Sequence, residues 1–128
     1  MKEKSSIRAK NKRAILLSSF ILLIFALSTI PNNSFPALKI WTFDKLIHFF
    51  EYVVLGGLLF FFFLDKYDIP KVLILTVTSG AFIGGLDEVY QGAMRLGRDM
   101  SFYDWVADLA GVFIITLLSF SFYKFKKS

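Results

Sequence analysis

The stretch from Gly84 to Gly111, GGLDEVYQGAMRLGRDMSFYDWVADLAG, carries Asp87, Glu88, Arg95, Arg98, Asp99, Asp104 and Asp108 between two long apolar runs. A second polar group lies upstream in DKLIHFFEYVVLGG, where Asp44, Lys45, His48, Glu51 and Tyr52 interrupt the start of another apolar run. Carboxylates beside a histidine can take up protons, hold a divalent cation or bind a cationic or amine-bearing ligand, while Arg98 and Lys45 can engage a phosphate. Spacing groups them. Asp44, His48, Glu51 and Leu55 follow i, i+4, i+7, i+11, one face of a helix. Gly84, Asp87, Glu88 and Gln91 share a face, and so do Asp104, Asp108 and Gly111.

Composition removes several chemistries. The chain has 128 residues and no cysteine, which excludes disulfides, thiol nucleophiles and cysteine metal sites. The single histidine excludes any mechanism that needs two, including a two-histidine lipid phosphatase. The chain is 55% hydrophobic with sixteen phenylalanines and a mean hydropathy of +0.59, and the apolar residues fall in blocks. Blocks of this kind indicate a membrane rather than a soluble domain. The net charge of +5 therefore reads as topological and not as a nucleic-acid surface.

Four spans position the polar residues: about 14–30, 46–64, 71–91 and 105–123. Residues 1–13 read as a basic cytoplasmic tail, 14–123 as one four-helix membrane domain and 124–128 as a second basic tail. A basic segment before an apolar run also describes a signal peptide. The run is long for one, however, and PNNSFPALKIW offers no small-x-small cleavage site, so an uncleaved first span is expected. Pro31 and Pro36 end that span, Trp41 suits an interfacial anchor, and Pro70 suits the first turn of the third helix. Gly56 and Gly57 permit a close neighbour, and Gly80 and Gly84 form a small-xxx-small face.

The N-terminal tail, the 65–71 loop and the C-terminus hold eleven Lys/Arg, against four in the 31–45 and 92–104 loops. The positive-inside rule then sets both termini in the cytoplasm and both longer loops outside. Glu51 falls about 7 Å below the entry of the second helix, and Asp108 about 6 Å below Asp104. Asp87 and Glu88 lie where the third helix leaves the membrane. Glu51, Asp87 and Asp108 are therefore expected to converge on one outward-open acidic cavity with His48 at its rim. Arg98 is expected to pair with Asp87, Glu88 or Asp104. Plainer roles also fit: His48 as a hydrogen-bonded bundle residue, Asp104 and Asp44 as helix caps, and Lys45 snorkelling. Asp65, Lys66 and Asp68 read as solvated loop charges. A divalent cation is allowed for, with His48, Glu51 and Asp87 as candidate ligands.

The two blocks DKLIHFFEYVVLGG and DEVYQGAMRLGRDMSFYDWVADLAG, in this order and topology, resemble the VanZ-like family of bacterial integral membrane proteins. The matching positions are Asp44, Lys45, His48, Phe49, Tyr52, Leu55 and Gly56, then Asp87, Glu88, Gln91, Gly97, Arg98, Ser101, Asp104 and Gly111. Leu96 stands where the family often has Pro, and Asp108 where it often has Asn. The resemblance implies a multi-pass cell-membrane protein of the bacterial envelope, associated with low-level resistance to teicoplanin, and it supplies no reaction.

Three functions follow in order of preference. The first is binding of a lipid-linked envelope precursor or an amphipathic ligand such as a lipoglycopeptide, without covalent chemistry, among membrane lipids and without nucleic acid. The second is an enzyme on a lipid-linked phosphate or glycan at the outer membrane face, with Glu51, Asp87 or Asp108 as base and Arg98 on a phosphoryl oxygen. It lacks a recognisable nucleophile. The third is an ion-coupled transporter, for which four helices would require an oligomer.

Overall fold

The computed structural model describes residues 1–30, 40–94 and 99–128. Four α-helices follow in order: α1 (Lys2–Ser28), α2 (Ile40–Leu64), α3 (Ile69–Met94) and α4 (Phe102–Lys127). Each is long and apolar enough to cross a membrane. At ~1.5 Å per residue they reach nearly 40 Å, against a hydrocarbon core of ~30 Å. The fold is all-α, as the blocky hydropathy predicts.

The helices extend beyond the apolar runs that reveal them. The basic segment before Arg13 is helical from Lys2 onward and fully exposed. Its Lys, Arg, Glu and Ala residues are good helix formers, so the span propagates into water. For the same reason α4 runs on through Lys124, Lys126 and Lys127, where cations favour a helix C-terminus. Pro70 sits in the first turn of α3, as expected.

Glycines set the closest approaches. A Cβ on Gly111 would collide with the Phe49 carbonyl oxygen and lie 3.0 Å from the Val53 nitrogen, both on α2. One on Gly56 would meet Ile115 and the Val112 Cα at 2.5 and 3.1 Å. Thus α2 and α4 touch backbone to backbone. On α3, Gly80 receives Val112 and Gly84 receives Trp105 and Asp108, the role the small-xxx-small spacing predicts. The buried apolar core comprises Leu17, Ile24, Tyr52, Leu55, Leu59 and Val112, with Phe20, Phe62 and Ile83 packed against it. Leu22, Phe50, Phe82, Phe113 and Phe122 point outward and suit lipid tails.

Candidate functional site

The tight α2–α4 crossing places Asp108, one turn before Gly111, against His48, one turn before Tyr52. His48 Nδ1 and Asp108 Oδ1 are 2.9 Å apart, a hydrogen bond that Nδ1–H donates to the carboxylate. Glu88 Oε1, from α3, lies 3.8 Å from the same nitrogen, and Asp44 Oδ1 lies 4.0 Å from Nε2. His48 is 2% exposed and is the hub of the cluster, not its rim. The expected rim position assumed equal depth for all the carboxylates; the glycine crossing draws His48 into the centre instead.

Asp87 is held from two sides. Ser28 Oγ, at the end of α1, donates to Asp87 Oδ1 and also lies 3.0 Å from the Ile24 carbonyl. Gln91 Nε2 reaches Asp87 Oδ2 at 3.4 Å and Ser28 Oγ at 3.3 Å. Sequence reading overlooked Ser28. Its signal was a polar residue one turn before Pro31 at the end of an otherwise apolar run, at the depth of the carboxylates.

The helix caps differ from expectation. Ser101, not Asp104, caps α4, accepting the Asp104 N–H at 3.3 Å. The Ser-x-x-Asp spacing of a capping box was the available clue. Ser101 N–H also donates to Glu88 Oε2 at 2.8 Å, tying the start of α4 to α3. Asp104 is thereby released to pair with Lys45, whose Nζ is 3.0 Å from Asp104 Oδ1. Lys45 thus makes an ion pair in place of snorkelling. Asp44 sits a full turn inside α2, which begins at Ile40, so it is no cap.

Glu51 stands apart. Three residues beyond His48 on a 3.6-residue turn is a rotation of about 60°, which carries it towards α1. There it lines a cavity of about 160 Å³ with Leu27, Ser28, Ile30, Ile47, His48 and Gln91. Asp87 and Asp108 join His48 at the hub, whereas Glu51 belongs to neither cation-sized group found among the described residues: His48, Asp87 and Asp108, or Asp44, His48 and Asp104. Arg95, Arg98 and the expected Arg98–carboxylate pair lie outside the described residues, as do the 31–39 loop and the Trp41 side chain. Asp99 is described and exposed.

The electrostatics are costly. Asp87, Glu88, Asp104 and Asp108 are each at most 5% exposed. Glu88 Oε1, Asp108 Oδ2 and the Tyr52 hydroxyl are buried without a hydrogen-bond partner. Most buried polar atoms in native structures are satisfied, so these three orphans call for an explanation. No family model, curated protein or solved structure matches the chain.

Proposed function

We propose that this chain is a VanZ-like envelope protein whose acidic cluster binds a lipid-linked or amphipathic ligand at the outer face of the cell membrane. Both termini are then cytoplasmic, and a contribution to teicoplanin-type resistance or envelope homeostasis follows. The observation that carries the reading is the cavity between α1, α2 and α3. Its apolar wall (Leu27, Ile30, Ile47) meets a polar wall (Ser28, His48, Glu51, Gln91), a lining suited to a molecule with an acyl portion and a polar head. The two sequence blocks that resemble the family supply those polar residues, apart from Ser28.

Binding of a polyprenyl phosphate and of teicoplanin to the detergent-purified chain tests the reading. Glu51→Gln and Asp87→Asn keep shape and most hydrogen bonds and remove only charge. Each should abolish binding of at least one probe per folded molecule while the protein remains abundant. Full binding in both amides would reduce the cluster to scaffolding.

A further inference from the structure

Two buried carboxylate oxygens without a hydrogen-bond partner, Glu88 Oε1 and Asp108 Oδ2, sit on the two residues that flank one buried imidazole, a pattern that hydrogen bonding within the bundle does not account for. We propose that His48, Asp87 and Asp108 hold one first-row divalent cation of the zinc or manganese class, with Glu88 beside the imidazole as a supporting carboxylate.

Geometry is the first argument. His48, Asp87 and Asp108 each offer a ligand atom within 4.8 Å of the others, and all three are buried. Ligands around one ion at ~2.0–2.2 Å must lie no farther apart than this. Glu88 is a separate observation. Its Oε1 is buried, has no partner and sits 3.8 Å from His48 Nδ1, while its Oε2 is fixed by Ser101 N–H. Asp108 Oδ2 is likewise unpartnered, and its Oδ1 already faces the imidazole.

Charge is the second argument. Asp108 and Glu88 bring two buried carboxylates against the one imidazole of His48. Buried carboxylates are retained where they are paired or coordinate a metal. One divalent ion bound there offsets both.

Donor chemistry sets the class. One imidazole nitrogen with carboxylate oxygens suits zinc, manganese or iron(II), whereas magnesium and calcium favour all-oxygen shells. Ligation through Nδ1 displaces the proton held there: a cationic His48 loses it to solvent and keeps Nε2–H, and a neutral His48 moves it to Nε2 with no net release. Asp44, near Nε2, stands where a carboxylate can orient the ring. The cavity beside His48 provides a path of entry. This site goes beyond the amphiphile reading and does not depend on it.

The test is equilibrium dialysis of the chelator-stripped full chain in detergent against Zn²⁺, Mn²⁺ or Mg²⁺, with elemental analysis of the bound metal. One Zn²⁺ or Mn²⁺ per chain is expected, with Mg²⁺ binding at least tenfold more weakly. Asp108→Asn and Glu88→Gln should each weaken binding by roughly tenfold or more, and Asp65→Asn, at the opposite end of the bundle, should not change it. No ion on the native chain, or equal binding by the native chain and both amides, overturns the proposal. If the variants fail to fold, cobalt decides on the native chain. Visible bands of nitrogen- and oxygen-ligated Co²⁺ support the site, and a spectrum of hydrated Co²⁺ alone overturns it. Amphiphile binding without any ion would remove the cation site and leave the ligand reading intact.

Discussion

The two ends of the bundle both carry ion pairs, and the shorter contact is the weaker one. At the basic end, Arg13 Nη1 meets Asp65 Oδ1 at 2.6 Å, with the side chains 42% and 22% exposed. Arg13 also donates to the Phe61 carbonyl at 3.1 Å, and Lys66 covers the Phe62 ring. At the other end, His48 and Asp108 meet at 2.9 Å with side chains 3% and 1% exposed. Water screens the first pair and not the second, so breaking the buried pair strands an uncompensated charge. Burial decides the energetics here, and length does not. The basic end ties α1 to the end of α2, while the acidic end joins all four helices through buried carboxylates.

The largest effect expected is all-or-none. Cysteines at Asp99 and Tyr67, both exposed, should separate completely towards an impermeant thiol reagent on intact cells, with Asp99→Cys labelled and Tyr67→Cys protected. The reverse pattern would turn the acidic end to the cytoplasm. Next, Asp108→Ala removes the partner of His48 and should lower stability by about 3–5 kcal/mol, seen as loss of folded, monodisperse protein. Asp108→Asn should be much milder, because its amide oxygen can still accept from His48 Nδ1. Gly111→Ala forces a methyl group against the Phe49 carbonyl and should cost about 1–3 kcal/mol in thermal unfolding. Smallest of all, Arg13→Gln at the basic end should cost less than about 1 kcal/mol. A loss there as large as that of Asp108→Ala would erase the difference between the ends.

The fold was legible in the sequence because membrane spans announce themselves as apolar blocks, and the small-residue spacing of Gly80 and Gly84 named a true packing face. The helix ends were not legible in the same way, since Lys2 to Arg13 and Lys124 to Lys127 are helical without being apolar. Within the site, depth counting set Glu51, Asp87, Glu88 and Asp108 near one level, and Asp87, Glu88 and Asp108 gather round His48, yet it could not say which helix pairs approach most closely. That depended on Gly111 and Gly56 facing each other's backbones, a tertiary fact that moved His48 to the centre and left Glu51 in a neighbouring cavity. The capping of α4 was readable at Ser101 and Asp104 and went to the wrong residue because Asp104 suits a cap equally well. Asp65, read as a free loop charge, found Arg13 because α1 extends far enough to meet it.

If the acidic end is a ligand site, as proposed above, its carboxylates oppose stability. Glu88→Gln tests it most directly, because Glu88 Oε1 has no hydrogen bond to lose and the amide carbonyl can still accept from Ser101 N–H. With chelator present, the thermal midpoint of Glu88→Gln should equal or exceed that of the native chain, as expected where function opposes stability. A midpoint several degrees below native would make Glu88 a carboxylate kept for the fold and not for a site.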